Sequence, residues 1–155
     1  MENNIQEKKK PLVLVVEDDI FLVNVHKKKL AKEGFEVLVA GNGNEALGLA
    51  RKNKPDIILL DLIMPIKDGF QALKELKADP ELKNIKVIIL SNLSQEEDRQ
   101  RAMEAGAVDY IVKANVSFRE IINQIRRHLE TASANDEKNS NKNETGQPND
   151  KISSS

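Results

Sequence analysis

The chain has 155 residues, of which 32% are charged, and its formal net charge is −1. This length fits one domain with some residues to spare, and the near balance of charge argues against direct nucleic-acid binding or a membrane-surface role. Because the chain has no cysteine, disulfides and thiolate metal sites are excluded and a reducing, cytoplasmic location is expected. No apolar run is long enough to predict a signal peptide or a transmembrane helix.

The composition divides the chain into three parts. Residues 1–10 form a lysine-containing arm that we expect to be flexible. Residues 11–131 carry the apolar periodicity of a folded domain. Residues 132–155 are polar, with Ile152 as the only aliphatic residue beyond alanine. Such a segment buries too little apolar area to offset the entropy of ordering it, so a disordered tail is predicted.

Within residues 11–131, short apolar runs alternate with segments of helical periodicity. The apolar runs predict strands at Leu12–Val16, Phe35–Val39, Ile57–Leu60, Val87–Leu90 and Val108–Val112. Helices are predicted at about Ile20–Glu33, Asn44–Lys52 and Phe70–Lys77, from Ser94 to near Gly106, and from Ser117 onward. This alternation predicts an α/β fold in which a parallel sheet is covered by helices on both faces.

Three helix ends have recognisable signals. Gly34 follows the first helix, where a glycine commonly ends a helix in the left-handed region. Ser94 with Glu97, and Ser117 with Glu120, have the spacing of a capping box. They predict the starts of the fourth and fifth helices.

Polar residues follow the predicted strands. In chain order they are Glu17, Asp18 and Asp19, then Asp61, Ser91 and Lys113. Because the site of an open parallel sheet lies outside the carboxyl ends of its strands, we expect these side chains to meet at one edge.

Carboxylates from two neighbouring strands repel each other unless a cation joins them. Mg²⁺ suits this arrangement, because it binds through one or two carboxylates and keeps several waters. With the ammonium of Lys113 and the hydroxyl of Ser91 nearby, the edge is suited to stabilising a phosphoryl group. Asp61 is then a candidate nucleophile that forms an aspartyl phosphate.

These segments resemble the response-regulator receiver domain of two-component signalling. "VLVVEDD" is similar to its acidic first strand end, and "ILLDLIMPIKDG" to its phospho-acceptor segment. "VIILS" and "AGAVDYIVK" are similar to its fourth and fifth strands. The resemblance covers about residues 10–131. It implies a flavodoxin-like, doubly wound (βα)5 fold whose five-stranded parallel sheet has the order 2-1-3-4-5.

The resemblance also implies a role for each site residue. Asp61 would be the phospho-acceptor. Mg²⁺ would be bound by Asp18, by Asp61 and by the backbone carbonyl of Ile63, with Glu17 acting through a metal-bound water. Ser91 and Lys113 would contact the phosphoryl group. Tyr110 would be the switch aromatic that turns inward on phosphorylation, and Asp19 is left as a helix cap.

The function implied is that of a stand-alone response regulator rather than an enzyme. Such a regulator would assist its own phosphorylation and dephosphorylation. Its phosphoryl group would come from a histidine kinase or a phosphotransfer protein. The resemblance implies an output surface formed by the fourth helix, the fifth strand and the fifth helix. Phosphorylation would change the conformation of this surface and so its binding to an unknown protein target. The expected assembly is a monomer or a phosphorylation-dependent dimer, with no contact to nucleic acid or membrane.

Two residues depart from the family pattern. Asn92 stands where a small residue is usual, and with the apolar Ile63 and Leu93 it predicts slow self-dephosphorylation. Ala114 follows Lys113 where proline, with a cis peptide bond, is usual. Because a cis bond before a non-proline residue is costly, and because "KANVS" has one extra residue before the helix, a trans Lys113–Ala114 bond is favoured.

Two other functions are open. Gly41-Asn42-Gly43-Asn44-Glu45-Ala46 approaches the dinucleotide-binding fingerprint, so a nucleotide-binding oxidoreductase is an alternative. A purely structural interpretation of these glycines is a tight turn with Asn42 or Asn44 as the cap of the second helix. A pseudo-receiver, which keeps the fold only as a binding module, is the other alternative.

Overall fold

A computed structural model of the chain describes residues 9–145, with side chains described up to Thr131. The strands are β1 (Leu12–Val16), β2 (Glu36–Ala40), β3 (Ile57–Leu60), β4 (Lys86–Ser91) and β5 (Asp109–Val112). The helices are α1 (Ile20–Lys32), α2 (Gly43–Asn53), α3 (Gly69–Ala78), α4 (Glu96–Glu104) and α5 (Phe118–Thr145). A 3-10 turn, Lys113–Asn115, joins β5 to α5. The predicted alternation of strands and helices is confirmed.

The five strands form one parallel sheet in the order β2-β1-β3-β4-β5, which confirms the flavodoxin-like fold. The strand order reverses between β1 and β3, which pair from Val13 with Ile57 to Val16 with Leu60. In a doubly wound sheet this point opens a crevice at the carboxyl ends of the strands. The crevice is therefore bordered by the residues that follow Val16 and Leu60.

The buried strand residues alternate between the two faces of the sheet. Leu14, Val16, Ile58 and Leu60 belong to one apolar cluster, which includes residues of α2 and α3. Val13, Val15, Ile57 and Leu59 belong to a second cluster, which includes residues of α1 and α5. Since both faces are covered, β1 and β3 are continuous apolar runs, as is typical of buried parallel strands.

Most of the predicted helix ends are confirmed. Gly34 has φ +96°, in the region that favours glycine. Asp19 caps α1, accepting hydrogen bonds from Phe21 and Leu22. At the start of α5, the amide of Glu120 donates to Ser117 Oγ at 3.2 Å and the amide of Ser117 donates to Glu120 Oε1 at 2.9 Å.

The capping box predicted at Ser94 is wrong. Helix α4 begins at Glu96, and its cap residue is Gln95, which makes no side-chain capping bond. The first turn instead carries three acidic residues, Glu96, Glu97 and Asp98, whose charges favour a helix N-terminus.

Helix α4 contacts the rest of the domain through few buried side chains. Ala102 is its only buried residue. Arg99 donates to the carbonyl oxygen of Tyr110 at 3.2 Å, and the Arg101 guanidinium lies 3.8 Å from the ring centre of Phe70 on α3. Two arginine side chains therefore contact the domain beside the one buried alanine.

The backbone of α5 continues to Thr145, past residue 131, where the folded part was predicted to end. Residues 132–145 contain no glycine or proline, and Gly146 is the first such residue. Extending a helix that already exists avoids the cost of nucleating a new one. Residues 1–8 and 146–155 lie outside the described residues, so the predictions of a flexible arm and a disordered tail remain untested there.

Within residues 9–145, no helix is both long and apolar enough to cross a membrane.

Residues 132–155 are expected to add little to stability, because their polar side chains offer almost no apolar area to bury. A chain ending at Thr131 should melt within about 2 °C of the full chain, measured by circular dichroism. Limited proteolysis should remove this segment first. As a control, a chain ending at Arg127 also loses Leu129, which packs against the α1–α5 cluster, and should melt lower. A large loss on truncation at Thr131 would mean that the segment docks on the domain.

Candidate functional site

Two carboxylates lie side by side where β1 and β3 end. The β1–β3 ladder continues one step past the strands, since the amide of Asp61 donates to the carbonyl of Val16 at 3.1 Å. This bond places Asp61 beside Glu17, and the two residues are only 7% and 4% exposed. Asp18 is exposed. Oxygens of Glu17, Asp18 and Asp61 all lie within 4.8 Å of one another. The acidic cluster predicted from the strand ends is therefore present.

Lys113 supplies the positive charge of the site. Its Nζ lies 2.7 Å from Glu17 Oε1 and 3.4 Å from Asp61 Oδ2. Burial alone would lower the pKa of Lys113, but the hydrogen bond to Glu17 and the charge of Asp61 outweigh it, so the pKa is raised. The ammonium therefore stays charged and offsets part of the repulsion between the carboxylates.

The pKa of Asp61 is raised, chiefly because burial disfavours its charged form. The charge of Lys113 opposes this shift and that of Glu17 adds to it. The amide of Ile63 donates to Asp61 Oδ1 at 3.3 Å, which favours the carboxylate. Asp61 is thus an ionisable group held in a poorly solvated place, a condition common at functional sites.

The other predicted residues lie around this centre. Ser91 is fully buried at the end of β4, and its Oγ accepts a hydrogen bond from the amide of Leu93 at 3.2 Å. Tyr110 is 5% exposed, and its hydroxyl donates to the carbonyl of Leu93 at 2.7 Å. Tyr110 and Ser91 therefore contact the same loop residue, Leu93, from two neighbouring strands.

The Lys113–Ala114 bond agrees with the prediction, since residues 9–145 contain no cis peptide bond. The lysine still reaches the carboxylates from this trans backbone.

Backbone amides of the glycine motif after β2 are hydrogen-bonded to side chains of the motif itself. Asn42 caps α2, with its Oδ1 accepting from the amide of Glu45 at 3.0 Å, and Glu45 Oε1 accepts from the amide of Gly41. A Cβ on Gly43 would lie 2.8 Å from the Lys67 side chain. The motif also follows the edge strand β2 rather than the point where the strand order reverses. A turn with a helix cap explains these glycines, and the geometry does not favour a pyrophosphate there.

Sequence reasoning missed the apolar residues at the same end of the sheet. Ile20 and Phe21 open α1 with 75% and 73% of their surface exposed, and Ile63 and Ile66 follow Asp61 with 56% and 79% exposed. Their position directly after the acidic residues was a usable signal, because large apolar side chains are seldom needed on a solvated loop.

Comparison with known proteins agrees with this geometry. Residues 13–126 match the family model described as the response regulator receiver domain. Protein PilH of Pseudomonas aeruginosa is 40% identical over 101 residues, which are 65% of this chain and 84% of PilH. Response regulator PleD of Caulobacter vibrioides is 41% identical over 101 residues, or 65% of this chain. The match spans only 22% of PleD.

A solved structure with the same fold is the receiver domain of the sensor histidine kinase PA1611 from Pseudomonas aeruginosa, which has a magnesium ion coordinated in its active site cleft. It is 26% identical, with a TM-score of 0.72, and the match covers 79% of this chain and 99% of that one. The family model spans most of the folded part of the chain, including every residue placed at the site above. The chain therefore belongs to the response regulator receiver domain family, whose general property is to accept a phosphoryl group in two-component signalling.

Proposed function

We propose that Asp61 is the residue that accepts the phosphoryl group. The observation that carries this proposal is the burial of Asp61 between an ammonium and a second carboxylate, Glu17. In the transfer, a carboxylate oxygen of Asp61 forms a bond to phosphorus as the bond from phosphorus to the donor atom breaks. Lys113 is placed to offset the negative charge on the phosphoryl oxygens.

Glu17, Asp18 and Asp61 suit a magnesium ion, because all three offer hard oxygen ligands within 4.8 Å of one another. Asp18 and Asp61, with the carbonyl of Ile63, would hold the ion directly, and Glu17 through a water. Bound there, Mg²⁺ neutralises charge on the phosphoryl group. The chain's own residues fix the position of the acceptor and keep Lys113 charged.

Mg²⁺ is expected to raise the melting temperature at neutral pH, because a ligand that binds only the folded state stabilises it. At ten times its dissociation constant the gain would be about 1.4 kcal/mol. Binding requires ionised carboxylates, and the pKa of Asp61 is raised. As the pH is lowered, the Mg²⁺-dependent rise in melting temperature should therefore disappear at a higher pH than for a site whose aspartate has an ordinary pKa.

Differential scanning fluorimetry with and without Mg²⁺, from pH 4 to 8, measures this effect. Asp18→Asn should lose most of the shift. Asp56→Asn is the matched control, because Asp56 lies at the opposite end of β3, where its Oδ2 accepts from the amide of Leu12, and it should keep the shift. If Mg²⁺ raised the melting temperature of both variants equally, the ion would bind at a different site.

The donor is proposed to be a histidine kinase or a phosphotransfer protein that docks over the site. Exposed apolar side chains lie after β1 and β3, where a donor histidine must approach Asp61: Ile20, Phe21, Ile63 and Ile66.

After transfer, Ser91 and Tyr110 are the proposed switch residues, since both contact Leu93 in the loop before α4. A change at Ser91 would thus reach the surface formed by α4, β5 and α5.

The phosphorylated form is expected to be long-lived. Ile63 is apolar, and Asn92 Oδ1 already accepts a hydrogen bond from the amide of Ala114 at 3.0 Å. Ile63 therefore cannot orient an attacking water, and the bond to Ala114 holds Asn92 in one orientation, which limits its freedom to do so. Phosphate release from labelled protein should show a half-life of minutes or longer, and a half-life of seconds would contradict this account.

The function itself is tested by incubating the full chain with Mg²⁺ and a small-molecule phosphodonor and measuring its intact mass. Phosphorylation should add about 80 Da, and a chelator should prevent the addition. The pseudo-receiver alternative predicts no addition under either condition.

A further inference from the structure

A side-chain hydrogen bond joins the two loops that carry Ser91 and Lys113. The last residue pair of the β4–β5 ladder is Ser91 with Val112. Just past it, Asn92 Oδ1 accepts a hydrogen bond from the backbone amide of Ala114 at 3.0 Å. The side chain of Asn92 thus extends the connection between the two strands beyond the point where backbone pairing ends.

This bond fixes the backbone on the far side of Lys113. Ala114 lies in the 3-10 turn Lys113–Asn115, and the first amides of such a turn have no partner within it. Lys113 is therefore held on one side by the strand residue Val112 and on the other by the amide of Ala114. Its Nζ then reaches Glu17 at 2.7 Å and Asp61 at 3.4 Å. A proline at position 114 would have no amide hydrogen to donate, so the bond requires the residue found here.

We propose that Asn92 is a positioning residue for phosphoryl transfer, which acts by fixing the backbone from which Lys113 reaches the acceptor. This inference rests on the function proposed above. Asn92 is exposed and acts on the reaction through Lys113. Removing its side-chain oxygen frees the turn, so that the ammonium is aimed at Asp61 for a smaller fraction of the time.

The experiment compares the rate at which a small phosphodonor labels the full chain and four variants. Asn92→Ala should slow labelling about three- to ten-fold, the size expected for loss of one hydrogen bond. Asn115→Ala is the matched control, because Asn115 lies in the same turn, is exposed and makes no side-chain hydrogen bond to the described residues. It should label at the wild-type rate. The remaining variants are Lys113→Ala and the double variant Asn92→Ala/Lys113→Ala, labelled with enough donor to give measurable rates.

If Asn92 acts through Lys113, its removal should change the rate less than about two-fold once Lys113 is already alanine. The same slowing in both backgrounds, or a wild-type rate for Asn92→Ala alone, would overturn the proposal. Hydrogen exchange gives a second readout that does not depend on labelling. The Ala114 amide should exchange faster in Asn92→Ala but stay protected in Asn92→Asp, which keeps an acceptor oxygen. Exchange that is unchanged in Asn92→Ala would also overturn the proposal.

The failure of the two proposals would look different. A wild-type chain that takes no label would overturn the phospho-accepting function and, with it, the role of Asn92 in transfer. A wild-type chain that is labelled normally, together with an Asn92→Ala variant that is labelled equally fast, overturns the role of Asn92 alone.

Discussion

We expect the Asp61→Asn variant to gain no mass when it is incubated with Mg²⁺ and a phosphodonor that adds about 80 Da to the wild-type chain. An amide is a poor nucleophile and cannot form an acyl phosphate with the donor. The substitution preserves the shape of a residue that is 7% exposed, so the loss would reflect chemistry rather than unfolding. Intact mass spectrometry followed by peptide mapping measures the result.

Asp56→Asn provides the matched control for this experiment. It makes the same chemical change on the same strand, but at the amino-terminal end of β3, away from Glu17 and Lys113. This variant should be labelled at the wild-type rate. Labelling of Asp61→Asn at that rate would show that another residue is the acceptor.

The same substitution should stabilise the fold at neutral pH in the absence of Mg²⁺. Because the pKa of Asp61 is raised by burial, the folded protein holds this proton more tightly than the unfolded chain. The stabilisation that comes from binding this proton is therefore fully present below the pKa that Asp61 has in the unfolded chain. It is lost as the pH rises through the higher pKa that Asp61 has in the folded protein. Asparagine does not ionise, and Lys113 keeps Glu17 as a partner. The melting temperature of Asp61→Asn relative to wild type should accordingly increase from pH 4 to pH 7.

Gly69→Ala is expected to destabilise the domain strongly and to impair phosphorylation. A Cβ at this position would lie 2.2 Å from the backbone oxygen of Asp61 and 2.6 Å from the Cα of Leu62. Because these are backbone atoms next to the acceptor, the start of α3 and the acceptor segment must move apart. Such overpacking costs about 1–3 kcal/mol or more. This corresponds to a fall of about 3–15 °C in melting temperature.

Gly48→Ala is the control for the glycine substitution. Gly48 lies in α2, and a Cβ there would have no neighbour within 4 Å. Alanine is the better helix former by about 0.5–1 kcal/mol, so this variant should melt at or above the wild-type temperature and be labelled normally. Equal melting temperatures for Gly69→Ala and wild type would contradict the close approach of α3 to Asp61.

The clustering of the candidate site residues was predictable because their positions follow from topology. Asp61 follows the four-residue apolar run Ile57–Leu60, and Lys113 follows the predicted strand Val108–Val112. In a parallel sheet such strand ends meet at one edge. The capping box of Ser117 and Glu120 was predictable for a similar reason, since a local motif satisfies local amides.

Other features depend on contacts that sequence spacing does not determine. Ser94 has the pattern of a cap, but α4 begins two residues later, at Glu96, because its acidic first turn competes as a start signal. Which carboxylate binds Lys113 most closely depends on side-chain rotamers, and the structure assigns that place to Glu17. The bond between Asn92 and Ala114 joins two loops that are 22 residues apart, so neither loop alone reveals it.

The sparse burial of α4 has a consequence for how the domain moves. Since Ala102 is its only buried residue, opening this helix exposes little apolar surface and so requires less free energy than opening the strands. We therefore expect the amides of helix α4 to be less protected from hydrogen exchange than those of the strands. Under the proposed function, a partner that recognises α4 would bind an ensemble of closed and loosened forms, and its affinity would depend on the fraction that is competent to bind. The proposed switch residues Ser91 and Tyr110 both contact Leu93 in the loop before α4, so a change at either residue would alter that fraction and carry the signal as a change in populations.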